Sequence, residues 1–192
     1  MSFCKLDIES DQWLTLASAR DWQKVANECA FATFEATNWV PRSEVSFLLT
    51  DDTVIQQLNA QYRGKNSPTN VLSFPLLSFL RPGIHAEDTQ HYEVRDVNTS
   101  GLINKTRRST MPAKVYLLGD VVLSYSAISR ELKTLKCQFM DRVFHLMTHG
   151  ILHLLGYDHE NESEAFLMES VEAMVLQKFD IQNPYDQAFD EI

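Results

Sequence analysis

Residues 149–159 read His-Gly-Ile-Leu-His-Leu-Leu-Gly-Tyr-Asp-His, and this stretch restricts the fold of the chain more than any other. It places histidines at i, i+4 and i+10. On a helix of 3.6 residues per turn, His149 and His153 lie one above the other, so a helical segment lets both reach one ion. Gly156 stands where a helix can end in a left-handed residue and turn the chain back, bringing His159 round as a third imidazole. Three neutral nitrogens suit a tetrahedral zinc with its fourth position open, the arrangement of catalytic rather than structural sites. A single histidine on an apolar helix face is ordinarily a packed core residue. Three at this spacing, with a glycine at i+7, point to one bound Zn2+.

The spacing is that of the metzincin zinc proteases, whose motif carries Glu directly after the first His as general base. Here that position is Gly150, which has no side chain to accept a proton. The expectation is a metzincin-like three-histidine zinc site with chemistry other than peptide cleavage by that route.

A chain of 192 residues is long enough for one domain with a proper core, and 44% hydrophobic with 22% charged residues is ordinary for a soluble globular protein. The first ten residues lack a basic segment followed by an apolar run, and no stretch is apolar for long enough to span a bilayer. Cys4, Cys29 and Cys137 are odd in number and form no Cys-x-x-Cys pair, which suits a reducing cytoplasm. The net charge of −9 is uneven: from Glu160 onward there are nine acidic residues and one Lys, while the rest of the chain is close to neutral. An acidic C-terminal helix and tail therefore do not exclude RNA from a site elsewhere.

Hydrophobic spacing predicts an amphipathic helix over 21–40 with Trp22, Val25, Ala26, Cys29, Ala32 and Ala36 inward. Phe31 and Phe34 fall outside that stripe and either meet a second neighbour or show it to be misplaced. Residues 44–50 read as a strand. Thr50, Asp51 or Asp52 can cap a helix carrying Val54, Ile55, Leu58 and Tyr62 inward. A loop over 64–69, a short strand over 70–74, and a strand over 115–124 bent at Gly119-Asp120 follow. Further helices are expected from Ser124 or Ser126 through Leu132 and Leu135, over 139–155, and over 162–179 with Phe166, Leu167, Val171, Met174 and Val175 inward. Strands and helices mix without regular alternation, so the fold class is α+β, a small mixed β-sheet packed by helices in a single domain. The irregular segment at about 76–115 is long enough to be functional or mobile, and a solvated loop accounts for it more simply than an RNA contact.

The 149–159 stretch resembles the signature of the YbeY family of rRNA maturation factors, bacterial metal-dependent endoribonucleases. Tyr62-Arg-Gly-Lys-Asn-Ser-Pro-Thr-Asn-Val-Leu-Ser-Phe-Pro75 is similar to a second block of that family, as are Leu118-Gly-Asp-Val-Val122 and, more weakly, Asn183-Pro-Tyr185. The resemblance implies that His149, His153 and His159 are zinc ligands and that Arg63 is required for RNA cleavage. It implies action on single-stranded RNA in small-subunit rRNA 3′-end maturation and ribosome quality control. Contacts with the ribosomal small subunit and the GTPase Era are implied too. His145 also matches a family histidine, for which an orienting or packed role is expected. Asn70 stands where many members carry Asp, and the 76–117 connection is longer than usual.

Arg63 brings a planar guanidinium suited to a phosphodiester that gathers negative charge during in-line attack. No general base is evident. Asp158 can accept from a ligand histidine or bond locally in its turn, and the nucleophile can be water or the RNA's own 2′-OH.

Overall fold

The computed structural model describes residues 3–39, 42–77 and 115–186. In chain order these form β1 (Cys4–Ile8), a 3-10 turn (Asp11–Thr15), α1 (Ala19–Ala36), β2 (Ser43–Thr50), α2 (Asp52–Arg63) and β3 (Val71–Pro75). After the undescribed connection come β4 (Tyr116–Ser124), α3 (Tyr125–Glu131), α4 (Phe139–Leu154) and α5 (Glu162–Gln177). The sheet order is β1-β2-β4-β3. β1, β2 and β4 run parallel, and β3 is antiparallel to β4. Parallel neighbours need crossovers. α1 supplies the first, and α2 with β3 lies within the second. The pairing of β2 with β4 shifts register at Glu44/Val45, opposite Gly119, the bend that the sequence suggested.

Alternation along β2 sends Val45, Phe47 and Leu49 to one face of the sheet. They meet Trp22, Ala26 and Cys29 of α1 and Val143, Met147, Ile151 and Leu154 of α4 in the main core. α2 covers part of the other face, where Ile55 packs on Leu72 and Val122. α5 lies across α1 and α4. Asp51 caps α2 by accepting from the N–H groups of Thr53 and Val54 (2.9 and 3.2 Å), and Ser124 caps α3 by accepting from Ala127.

The approach of α4 to the sheet fixes where the functional cleft opens. A Cβ at Gly150 would lie 2.5 Å from Val121 Cγ1 and 3.2 Å from Ser73 Oγ, so only glycine lets the helix settle this close. The glutamate of the metzincin motif has no room at that position. Close packing also carries His149 and His153 alongside β3.

Several elements differ from the sequence reading. β1 and the 3-10 turn were not anticipated; β1 is short and lies at the sheet edge. Phe34 is buried and Phe31 exposed, and both rings meet Phe3, the second neighbour (6.2 and 5.8 Å). Tyr62 is 60% exposed, and besides the expected Ile55 the residue α2 buries is Asn59, donating to the Ser67 carbonyl at 2.8 Å. α3 stops at Glu131, leaving Leu135 exposed. In α5, Phe166, Leu167 and Met174 face outward, while Met168, Val171, Glu172, Val175 and Leu176 are buried. Apolar residues surround that helix almost evenly, so periodicity placed Val171 and Val175 correctly but chose the wrong flank beside them. Most of the irregular segment (78–114) and the end of the tail (187–192) lie outside the described residues. Among the described residues, no helix is long and apolar enough to cross a membrane.

Candidate metal centre

α4 ends just after His153, and the manner of its ending delivers the third histidine. Gly156 has φ +85°. Its N–H donates to the His153 carbonyl (3.1 Å), and the Tyr157 N–H donates to the Leu152 carbonyl (3.0 Å). This is the paired bonding of a Schellman turn, which requires a left-handed residue and so favours glycine. The chain reverses, and the His159 ring comes within 5.4 Å of His149 and 5.1 Å of His153, centroid to centroid. Asp158 Oδ1 accepts from the His159 backbone N–H at 2.8 Å, so its bond is local to the turn.

The hydrogen bonds settle which ring nitrogens are available. His153 Nδ1 lies 3.0 Å from the Tyr157 carbonyl, which only accepts, so Nδ1 carries the proton and Nε2 a lone pair. His149 Nδ1 lies 2.8 Å from Glu172 Oε1. Burial alone would raise the Glu172 carboxyl, but hydrogen bonds from His145 and His149 outweigh it and hold the group down at about 2. Glu172 is therefore ionised and accepts, so in the neutral imidazole His149 Nε2 is bare as well. These two Nε2 atoms face each other at 3.1 Å. Two lone pairs that close repel unless a cation or proton lies between them. For comparison, ligand nitrogens at 2.0–2.1 Å around a tetrahedral zinc stand roughly 3.4 Å apart. One ligand atom from each of the three histidines falls within 4.8 Å of the others, a group that could hold a metal ion. Burial, then the neighbouring His149 and His159 imidazoles, push the His153 imidazole down to about 4, so it stays neutral as a ligand must.

An open cleft of about 530 Å³ lies over this cluster, lined also by Arg63, Lys65, Asn59, Thr69 and Asn70. Arg63 is the last residue of α2, exposed, its Nη2 donating to the Ser73 carbonyl at 3.4 Å. The four residues singled out in sequence thus border a single cleft. Asn70 Nδ2 donates to Glu131, while its Oδ1 accepts from Val71 N–H at 2.7 Å. An Asp there, ionised beside Glu131, could not make that donation, which accounts for the amide at this position. His145 stands behind the cluster, bonded to Glu172 at 2.8 Å and to Arg142 at 3.0 Å. Glu172 was missed in the sequence. Its signal was a carboxylate four residues from both Met168 and Leu176, on the strip α5 buries.

The family model described as Endoribonuclease YbeY matches residues 7–180 of the chain. This chain belongs to the YbeY family. The protein named Endoribonuclease YbeY in Rhizobium etli is 36% identical over 143 residues, 74% of this chain and 67% of that protein. The protein of that name in Rhodospirillum rubrum is 41% identical over 145 residues, 76% of this chain and 60% of its own length. In Rhodopseudomonas palustris the match is 34% over 183 residues, 95% of this chain and 80% of the relative. The solution structure of TM1509 from Thermotoga maritima shares the fold, with a TM-score of 0.50 and 18% identity over 98% of this chain and 99% of that one. The blocks that resemble the YbeY family converge in space. Residues 62–75 make the Arg63 wall of the cleft, 149–159 make the histidine wall, and 118–122 lie in β4 beneath Gly150. Tyr185, of the closing block, donates its hydroxyl proton to Glu172.

Proposed function

We propose that this chain is a zinc-dependent endoribonuclease that cuts single-stranded RNA, with His149, His153 and His159 as the metal ligands and Arg63 as the phosphate-stabilising residue. The observation that carries the reading is the convergence of His149, His153 and His159, with two Nε2 atoms 3.1 Å apart and Arg63 bordering the same cleft. His149, His153 and His159 would hold a divalent ion there, which would supply Lewis-acid charge and could lower the pKa of water toward neutrality. The protein residues do the rest. Arg63 can present two N–H groups to the non-bridging oxygens of the scissile phosphate, and Lys65 can hold a neighbouring phosphate. The cleft is open along one side, which suits an unpaired strand whose backbone can be laid into it.

Membership of the YbeY family supports small-subunit (16S) rRNA as the substrate, in 3′-end maturation and ribosome quality control. The ribosomal small subunit and the GTPase Era are the partners that follow, and the cytoplasm the compartment. Residues 1–192 then act as one YbeY-like domain.

The test is zinc content together with cleavage of single-stranded RNA by the wild type, Arg63→Ala and His149→Ala, each shown to be folded. Zinc bound and RNA cut by the wild type, zinc lost in His149→Ala, and zinc kept but cleavage lost in Arg63→Ala is the expected pattern. Folded, zinc-loaded wild type that leaves both RNA and small-subunit particles uncut would reduce the protein to a metal-pinned assembly factor. End-group analysis of the products then separates attack by water from attack by the 2′-OH.

A further inference from the structure

Among the described residues, Glu172 is the only Asp, Glu, Lys or Arg that is buried, with 0% of its surface exposed. A carboxylate stripped of water is costly unless every lone pair is met by a donor. Here three donors meet its two oxygens, two from α4 and one from the segment after α5. His149 Nδ1–H approaches Oε1 at 2.8 Å. His145 Nε2–H approaches Oε2 at 2.8 Å, and the Tyr185 hydroxyl donates to that same oxygen. His145 has no choice of tautomer, because Arg142 Nη1, always a donor, occupies its Nδ1 at 3.0 Å. Arg142 is itself fixed by two contacts to Glu131 Oε2 (3.1 and 3.0 Å). Glu131 in turn receives the Asn70 amide at the cleft wall. A single hydrogen-bonded chain thus runs from Asn70 round the back of α4 to His149.

The geometry points to Glu172 as a positioning residue for the metal site, one that holds the His149 proton on Nδ1 and keeps Nε2 bare and turned to the cleft. The inference rests on the metal-dependent reading above. Its consequence is specific to one ring: His153 takes its orientation from the Tyr157 carbonyl and does not depend on Glu172.

Glu172→Gln keeps the shape and makes one of the two terminal atoms a donor. Two donors converge on Oε2 and only one on Oε1, so the amide oxygen settles at the Oε2 position. The amide nitrogen then faces His149 Nδ1, which must accept, and the His149 proton moves to Nε2, the atom that would ligate.

The experiment compares full-length wild type and Glu172→Gln by Zn2+ competition against a chelator, with imidazole nitrogen NMR on both proteins and thermal unfolding to show that each is folded. The expected result is a loss of Zn2+ affinity on the order of 10–100-fold in the variant. In the metal-free variant, His149 should carry its proton on Nε2 while His153 keeps its own on Nδ1. In the zinc-loaded wild type, the His149 Nδ1–H should be protected from solvent exchange, unlike that of exposed His159. A folded variant whose Zn2+ affinity stays within about threefold of wild type would overturn the proposal, since even modest orienting partners cost more. If the variant does not fold, the wild type decides alone: fast exchange of the His149 Nδ1–H refutes the assignment. Wild type that binds no Zn2+ sinks the metal-dependent reading itself, a result distinct from either of these.

Discussion

The two walls of the cleft are built on opposite plans. On the histidine side, His149 and His153 project from a helix locked to the sheet by Gly150, and each has its outer nitrogen tied to an acceptor that fixes the tautomer. On the other side, Arg63 sits exposed at the end of α2 and holds to the sheet through one 3.4 Å contact with the Ser73 carbonyl. The first wall is organised before any ligand arrives. The second leaves its guanidinium free to move onto a phosphate, at the cost of ordering it then. A site that must grip an ion permanently and a strand transiently would divide its stiffness in this way.

Substitutions can break that contrast. His153→Ala removes a donor from the rigid wall. Zn2+ affinity should fall by more than the roughly 10–100-fold typical of losing an orienting partner, and cleavage should fall with it. Competition with a chelator checks the first, and a single-stranded RNA assay the second. Arg63→Ala acts on the mobile wall alone. Cleavage should drop roughly 10²–10³-fold, the scale of losing one donor to the developing charge, while zinc content stays unchanged. Arg63→Lys should recover only part of that loss, because a point charge cannot replace a planar fork. Equal zinc loss in the Arg63 and His153 variants would erase the distinction between the walls. Gly150→Ala tests the footing of the rigid wall. A methyl 2.5 Å from Val121 Cγ1 must push α4 off the sheet, so unfolding should become easier by about 1–3 kcal/mol in denaturant titration.

The rigid wall was also the legible one. Histidine spacing, Gly156 and the loss of the metzincin glutamate could all be read because a helix and its terminal turn convert sequence distance directly into position. The strands β2, β3 and β4 and the helices α1, α2 and α4 followed from local patterns of the same kind. What could not be read were pairings across long sequence distances. Glu172 meets His149 over 23 residues and His145 over 27, and no periodicity reports such contacts. Reading Phe166, Leu167 and Met174 as inward together with Val171 and Val175 turned the inner strip of α5 away from Glu172 and hid it. The Asn70–Glu131–Arg142 link was hidden for the same reason, and Asp158, next in sequence to His159, drew attention that belonged to Glu172. β1 escaped notice because five residues at a sheet edge carry too little alternation to announce a strand.

The smallest expected effect concerns what anchors the mobile wall. α2 begins at Asp52 and ends at Arg63, so the guanidinium can move while its helix stays put only if the far end is held. Asp52 provides the hold: Arg130 donates to it, and the Ser124 hydroxyl adds a bond at 2.7 Å. The hydrogen bond from Arg130 chiefly, with the Ser124 hydroxyl, outweighs burial and lowers the Asp52 carboxyl below its ordinary value. A carboxyl lowered in the folded state stabilises the fold above its unfolded pKa, near 3.9, and that contribution disappears as pH falls through the lower folded value. The pair is partly exposed, so Asp52→Asn should cost no more than about 1 kcal/mol at neutral pH. The gap between variant and wild type should close on acidification below about pH 4. Denaturant titrations at pH 7 and at the lowest pH where both proteins fold would measure this. If α2 is anchored here, RNA cleavage by the variant should weaken through KM rather than kcat, because Arg63 would start from a wider range of positions but end on the same phosphate. An unchanged KM alongside the stability loss would show that Arg63 takes its position from β3 alone.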